Sequence, residues 1–206
     1  MIVIIDYGMG NVGSIENMLL RIGAPCVVTC DPHVIQSAHR LILPGVGAFD
    51  NAMLNLQRLG IVPLLDDLVK VKRVPVLGIC LGMQVLTKSS EEGALPGLGW
   101  IDAATVRFRL EGGHEGLRVP HMGWNTIEIR RPDGLLEHLP IEPRFYFVHS
   151  YHVSCKDQGD VLAKTTYGIC FDSVIRKGNV MGTQFHPEKS HKFGLALLKN
   201  FVEIKL

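Results

Sequence analysis

Short apolar runs alternate with amphipathic segments through the first half of the chain. The runs that predict buried strands are Ile2–Ile5, Cys26–Thr29, Arg40–Leu43 and residues 74–79. The segments between them predict helices: one capped by Asn11 and ended by Gly23, then residues 49–59, 61–71 and 82–88. This alternation predicts an α/β fold with a mostly parallel, twisted sheet and helices on both faces.

The second half has fewer helical patterns and more short, strand-like ones. Residues 100–130 contain short strand-like pieces, with a glycine-rich loop or hairpin tip at 111–116. Residues 145–148 and 179–184 predict strands, and residues 193–206 predict a terminal helix. We expect a smaller antiparallel region here, within a single domain spanning residues 1–206.

Composition narrows the class of protein. Of 206 residues, 47% are hydrophobic and the formal net charge is +1, so a large core is available and neither nucleic acid nor an anionic membrane is an expected partner. No apolar run approaches the roughly 20 residues of a spanning helix, and Met1 begins no basic leader, so we expect a cytoplasmic protein. The five cysteines are irregularly spaced, which favours free thiols in a reducing compartment.

The first candidate for chemistry is Cys80, in Gly78-Ile79-Cys80-Leu81-Gly82 directly after the fourth predicted strand. A nucleophile between two glycines at a strand end is typical of the sharp strand-to-helix turn that exposes an attacking side chain. The following helix offers its N-terminus to a thiolate. A buried cysteine that simply begins a helix is the alternative reading.

The second candidate is the pair His186 and Glu188. In an extended segment, residues two apart face the same way, and Pro187 favours the extended state of His186. Glu188 would then orient the imidazole while the other ring nitrogen faces a thiol, as in a catalytic triad. Taken alone, the two residues could equally be a surface pair at a strand end.

The third candidate is Pro44-Gly45-Val46-Gly47, which ends the third predicted strand. Its glycines allow backbone amides to turn toward a ligand, so the Val46 amide together with that of Leu81 could form an oxyanion hole. A plain turn is the alternative. The chain shows no metal-ligand spacing, so we expect no metal and no cofactor.

The remaining histidines are less informative. His121, His149 and His152 are expected to be hydrogen-bonded structural residues. The others are expected at the surface: His33, His39, His114, His138 and His191.

Several motifs together resemble a known family. The Cys80 turn, with Gln84 at its end, and Phe185-His186-Pro187-Glu188 resemble the class I, or triad, glutamine amidotransferases. More narrowly, the chain is similar to the glutaminase subunits of imidazole glycerol phosphate synthases. That similarity rests on residues 6–11, 44–49, 120–125, 146–151 and 186–190.

The resemblance implies a role for each matching residue. Cys80 would attack the side-chain amide of L-glutamine, His186 would transfer protons, Glu188 would orient His186, and Val46 and Leu81 would form the oxyanion hole. A glutamyl thioester would form and then hydrolyse. Residues matching the family's substrate pocket are Gly45, Gly47, Gln84, His149, Ser150 and Tyr151.

The resemblance also implies a partner. The ammonia would pass to a synthase subunit with a (β/α)8 barrel, which uses it in histidine biosynthesis. Residues that match the family's docking surface or its surroundings are Tyr7, Gly8, Asn11, Met122, Trp124 and Lys189. Simpler readings remain for some of them, because Met122 and Trp124 could be core residues and Lys189 a solvated charge.

Other functions stay open at this point. Paralogues of the family feed ammonia to surface-sugar amidation, and the sequence of one subunit does not separate the two pathways. A stand-alone thiol hydrolase would be active on peptides or esters without a partner. A dead scaffold would dock to a partner without reacting at Cys80. We further predict that the Val46 amide points away from the site at rest and turns inward when the partner is occupied.

Overall fold

The computed structural model describes residues 1–110 and 116–205. The predicted loop at 111–116 therefore lies outside the described residues, except for Gly116. Within the described ranges the first-half elements are β1 Ile2–Ile5, α1 Val12–Arg21, β2 Cys26–Thr29, α2 Pro32–Ile35, β3 Arg40–Leu43, α3 Phe49–Arg58, α4 Val62–Asp66, a π-turn Asp67–Val71, β4 Val76–Ile79 and α5 Leu81–Val85.

The second half supplies most of the remaining strands. They are β5 Ser89–Ser90, β6 Ala103–Arg107, β7 His121–Thr126, β8 Glu128–Ile129, β9 Arg144–His149, β10 Tyr151–Cys155, β11 Val161–Tyr167, β12 Ile169–Lys177 and β13 Val180–Thr183, followed by α6 His191–Glu203. The terminal helix begins two residues before the predicted start and ends before Ile204. No predicted element corresponds to β5, β10, β11, β12 or the short α2.

Five strands form the parallel part of the main sheet, in the order β2-β1-β3-β4-β13. Strand β13 then pairs antiparallel with β12, which begins the antiparallel half of the same sheet. Strands β7 and β9 form a separate two-stranded sheet. The predicted α/β class with an antiparallel region in the second half is confirmed, although most antiparallel strands extend the main sheet.

The core lies on both faces of this sheet. One apolar cluster packs α3, α4 and α5 against one face, and a second packs α1 and α6 against the other. Strands β1, β3 and β4 are buried along nearly their whole length, as expected for strands covered by helices on both sides. Among the described helices, none is long and apolar enough to cross a membrane.

Candidate active site

The Cys80 turn is strained and closely packed. Cys80 has φ 54° and ψ −108°, a conformation rarely adopted by residues other than glycine. A Cβ on Gly78 would lie 2.6 Å from the carbonyl oxygen of Gly82, and a Cβ on Gly82 would collide with the carbonyl oxygen of Leu43. Both glycines are therefore needed for the turn that the sequence pattern predicts.

Neighbouring strands bring His186 to Cys80. Strand β13 pairs in parallel with β4, with Thr183 opposite Ile79, and the Cys80 amide donates to the Thr183 carbonyl at 2.8 Å. The segment after β13 therefore begins beside the segment after β4. Residues a hundred positions apart in the chain meet because the carboxyl ends of parallel strands share one edge of the sheet.

The two-stranded sheet holds His186 from the other side. The His186 amide donates to the Tyr146 carbonyl at 2.9 Å, which forms an isolated antiparallel bridge to β9. The Ser190 hydroxyl donates to the His186 carbonyl at 2.6 Å and accepts from the Tyr146 amide at 3.0 Å. His186 is 1% exposed, so its ring has little freedom to move.

Glu188 binds the imidazole of His186. Its Oε1 lies 2.7 Å from Nδ1 of His186, and both side chains are buried. Among the described residues, Nε2 of His186 has no hydrogen-bond partner of ordinary geometry. The ring is thus oriented through Nδ1, and Nε2 remains available.

The electrostatics of His186 are set by its two partners. Burial acts to lower the pKa of His186, but the Cys80 sulfur and the Glu188 carboxylate outweigh it and raise that pKa to about 10. The Val148 carbonyl lies 3.9 Å from the Cys80 sulfur and can accept from the thiol. The Cys80 sulfur therefore faces a hydrogen-bond acceptor as well as the buried imidazole of His186.

A cavity of about 510 Å³ opens beside Cys80. Its walls come from the Pro44 loop, the Cys80 turn, the segment linking β9 to β10, and Lys189. The lining residues are Val46, Gly47, Cys80, Leu81, Gln84, Glu92, Pro120, Val148, His149, Ser150, Tyr151 and Lys189.

Most of the residues expected at the substrate pocket line this cavity. Gly45 instead packs behind the wall, where a Cβ would lie 2.7 Å from the Gly82 amide nitrogen. Tyr7, expected at or near the docking surface, is buried instead: its hydroxyl donates to the Pro44 carbonyl, and burial raises its pKa. Tyr7 supports the loop that carries Val46.

Glu92 is a cavity residue that the sequence did not single out. It lies in a polar stretch without a motif, and its Oε2 accepts from the Phe49 amide at the start of α3, at 2.9 Å. The place of Glu92 in the cavity wall is visible only in the folded structure. Across residues 1–110 and 116–205, no group of three or more His, Cys, Asp or Glu side chains is placed to hold a metal ion.

Two residues expected at a docking surface are exposed. Met122 and Trp124 are 61% and 47% exposed, which excludes the core reading for both. They alternate along β7 with His121 and Asn125, which point inward. The Trp124 ring stacks on His191 at 5.5 Å, and Nζ of Lys189 lies 5.8 Å from the centre of the Tyr146 ring.

The histidines divide as expected where the structure describes them. His121, His149 and His152 are buried and hydrogen-bonded. His33, His39, His138 and His191 are exposed, and His114 lies outside the described residues.

The fold and the arrangement of Cys80, His186 and Glu188 define a class of protein that comparison with known families identifies. Residues 3–204 match the family described as glutamine amidotransferase class-I. The chain belongs to the class I glutamine amidotransferases, so it is a glutamine amidotransferase.

Individual relatives are similar to this chain in sequence over nearly its whole length. An imidazole glycerol phosphate synthase subunit HisH 2 from Methanococcus maripaludis is 52% identical over 203 residues, which cover 98% of this chain and 99% of the relative. A HisH 2 subunit from Pseudomonas aeruginosa is 50% identical, over 99% of this chain and the whole relative. A HisH subunit from Bdellovibrio bacteriovorus is 48% identical over the same shares.

Solved structures support the fold. The structure of PurLQS from Thermotoga maritima matches with a TM-score of 0.72 at 15% identity, covering 98% of this chain and 96% of that one. A structure described only as a glutamine amidotransferase matches with a TM-score of 0.71 at 22% identity, covering 98% and 97%. At these identities the likeness concerns the fold alone.

Proposed function

We propose that this chain hydrolyses L-glutamine to glutamate and ammonia through Cys80, His186 and Glu188. The observation that carries the proposal is the buried 2.7 Å contact between His186 and Glu188, beside Cys80 on its strained turn. A nucleophile, a base and a group that orients the base are the three parts of a triad.

The first half-reaction forms a thioester. The Cys80 sulfur attacks the side-chain carbonyl carbon of glutamine as the thiol proton passes to His186. The amides of Val46 and Leu81 stabilise the oxyanion of the tetrahedral intermediate. When that intermediate collapses, the carbon–nitrogen bond breaks and His186 gives its proton to the leaving nitrogen, which departs as ammonia.

The second half-reaction releases glutamate. Water attacks the thioester carbon as His186 takes its proton, and a second tetrahedral intermediate forms. The carbon–sulfur bond then breaks, and the proton held by His186 returns to the Cys80 sulfur. Throughout both steps Glu188 holds the ring and stabilises the imidazolium.

The cavity suits a zwitterionic amino acid. Glu92 supplies a carboxylate that can pair with the α-ammonium group, and Lys189 supplies a positive charge. Residues 149–151 form a further part of the wall, and the family resemblance implies that this segment contacts the substrate. We place the substrate glutamine in this cavity with its amide toward Cys80.

The test is ammonia release from L-glutamine by the chain together with its synthase partner. Cys80→Ala should lower the rate by about 10⁴-fold or more, as expected when a triad nucleophile is removed. Cys155→Ala is a matched control, because Cys155 is equally buried at 5% exposed but lies on β10 away from the cavity. Full activity of Cys80→Ala would refute the proposal.

We also propose that the ammonia passes to a (β/α)8-barrel synthase in histidine biosynthesis. The relatives at about 50% identity are named as subunits of imidazole glycerol phosphate synthase, and Met122 and Trp124 form an exposed apolar surface beside Lys189. Gly8 and Asn11, which match the family's docking surface, are exposed as well.

The partner proposal has its own test. Trp124→Ala should weaken binding to the barrel synthase by about 2 kcal/mol or more, as aromatic anchors at interfaces typically do, and calorimetry would measure it. Thr126→Ala, on the same outward face of β7, is the control. A surface-sugar synthase that bound in preference to the histidine-pathway synthase would support the alternative pathway.

A further inference from the structure

We propose that Gln184 donates a hydrogen bond to the sulfur of Cys80, and that a relay of polar groups centred on the Tyr151 carbonyl fixes the direction of that donor. Nε2 of Gln184 lies 3.8 Å from Sγ of Cys80, and Gln184 is fully buried. The inference deepens the proposed function and rests on Cys80 as its nucleophile.

The Tyr151 carbonyl decides every orientation in the relay, because a carbonyl oxygen only accepts hydrogen bonds. Two side chains converge on it: Nδ1 of His149 at 2.8 Å and Nε2 of Gln84 at 3.0 Å. His149 must therefore carry its proton on Nδ1, and Gln84 must turn its NH2 group toward Tyr151.

From His149 the relay runs outward to β7. With Nδ1 donating, Nε2 of neutral His149 accepts, so Nδ1 of His121 donates to it at 3.1 Å. Nε2 of His121 then accepts from Nδ2 of Asn125 at 3.3 Å, and the second amide hydrogen of Asn125 goes to the Thr166 carbonyl at 3.0 Å.

These outward hydrogen bonds require the imidazoles of His121 and His149 to be neutral, because a protonated histidine donates from both ring nitrogens and can accept at neither. Burial lowers the pKa of His121 to about 4. Burial, reinforced by His121, lowers the pKa of His149 well below its usual range. The environment therefore supports the protonation states that the hydrogen-bond directions demand.

From Tyr151 the relay runs inward to the nucleophile. The second N–H of Gln84 faces Oε1 of Gln184 at 3.4 Å. Gln184 consequently presents its NH2 group, and not its oxygen, to the Cys80 sulfur. Turning this amide over would place an oxygen against the sulfur and two N–H groups against each other.

The direction of the Gln184 amide matters for the chemistry. A hydrogen bond to the charged form of a group favours that form, so an N–H donor stabilises the thiolate and the sulfur that leaves when the thioester breaks. The Val148 carbonyl, 3.9 Å from the same sulfur, favours the protonated thiol instead. Gln184 thus opposes Val148 and assists His186.

The same orientation defines what Gln84 offers to the cavity. Both of its N–H groups are used by Tyr151 and Gln184, so its remaining polar atom, Oε1, is an acceptor. The inward residues of β7, His121 and Asn125, alternate with its exposed residues, Met122 and Trp124. Strand β7 therefore carries two residues of the proposed docking surface as well as the outer end of the relay.

The test measures how fast iodoacetamide alkylates Cys80 in the full chain at pH 7, followed by mass spectrometry of the Cys80 peptide. Gln184→Met has a similar volume but no donor. It should slow alkylation about tenfold, which corresponds to about 1.4 kcal/mol, the size of effect expected when a hydrogen bond to a charged group is lost. Alkylation at the wild-type rate would overturn the proposal.

A second variant guards against misfolding. Gln184→Glu keeps the shape and an oxygen facing Gln84, but replaces the donor with a carboxylate oxygen. Alkylation at pH 7 should again be slower than in the wild type, and thermal unfolding shows whether each variant is folded. An unchanged or faster rate in folded Gln184→Glu would also count against the donor.

The relay is tested separately at Gln84, a positioning residue. Gln84→Met has a similar volume but removes the donors to Tyr151 and Gln184, and should slow alkylation about threefold. His152→Phe is the control, because His152 is also buried but bonds only the Val153 carbonyl among the described residues. Equal rates in these two variants would overturn the relay.

The alkylation assay does not depend on glutamine. If the wild-type chain with its partner releases no ammonia from glutamine, the proposed function fails while the alkylation rates of the Gln184 and Gln84 variants still decide the inference. If ammonia is released but Gln184→Met alkylates normally, the function stands and the inference fails.

Discussion

Among the buried histidines, His186 forms one group and His121 and His149 another, and the pKa values of the two groups are shifted in opposite directions. His186 contacts a thiol and a carboxylate, and its pKa is raised to about 10. His121 and His149 contact each other, an amide and a carbonyl, and their pKa values are lowered. Burial opposes the charged form in both groups, so the partner decides the outcome.

The difference separates the proposed catalytic base from the two histidines whose ring nitrogens are both held in hydrogen bonds. His186 has one ring nitrogen held by Glu188 and one left over, which is what proton transfer requires. His121 and His149 use both nitrogens in fixed hydrogen bonds. A buried histidine is therefore a candidate base here because of an unused nitrogen and a charged neighbour.

Removing His186 should have the largest effect. His186→Asn should lower ammonia release from glutamine by about 10⁴-fold or more, since both proton transfers lose their carrier. The assay is steady-state glutaminase activity of the assembled complex. His152→Phe, at a buried histidine outside both groups, should stay within a few-fold of the wild type, and similar losses in both variants would show that the effect is not specific to His186.

Removing the Glu188 carboxylate, one of the two groups that raise the pKa of His186, should have the next largest effect. Glu188→Gln keeps the shape but not the carboxylate, and should lower the turnover number by about 10³-fold while changing KM little. Glu128→Gln, at an exposed ion pair with Arg130, is the control. A change confined to KM would show that Glu188 acts on binding instead.

The two groups should also give opposite pH dependences of stability. The folded-state pKa of His121 lies below its ordinary 6.5, so its neutral form favours folding above pH 6.5, and that stability is lost as pH falls toward about 4. His121→Phe removes this loss. Between pH 7 and pH 4 the free energy of unfolding of His121→Phe should fall by less than that of the wild type, with a difference on the order of 2 kcal/mol.

His186 should act with the opposite sign. Its folded-state pKa is raised, so its contribution to stability is fully present below pH 6.5 and is lost as pH rises through about 10. The stability gap between wild type and His186→Asn should shrink from pH 7 to pH 10. Urea unfolding at several pH values measures the free energy of unfolding of each variant minus that of the wild type. If this difference changed with pH in the same direction for both variants, the account would be contradicted.

The sequence predicts the parallel half of the fold well because its signals are local. Each strand there is a short apolar run, and Asn11 caps α1 as predicted, accepting from the Ser14 amide at 3.3 Å. The antiparallel strands β10, β11 and β12 carry mixed patterns with serine, threonine and charged residues. Their pairing is set by distant partners, so local periodicity is a weak guide to them.

The candidate site divides in the same way. Cys80, His186 and Glu188 belong to short motifs whose chemistry can be inferred from neighbouring residues. Glu92 and Gln184 could not be assigned a role in this way, because each depends on a contact across the fold, with the Phe49 amide and with Gln84. Hydrogen-bond direction is a property of the assembled network and is absent from any single segment.

The most direct test of the central claim is the site at which a glutamine-mimicking electrophile attaches. The chain, with its synthase partner, is incubated with a diazoketone analogue of glutamine, digested, and analysed by mass spectrometry, with excess L-glutamine as competitor. We predict one adduct on Cys80, suppressed by glutamine, and none on Cys155, which is equally buried. Labelling spread over several cysteines, or an unmodified Cys80, would contradict the account.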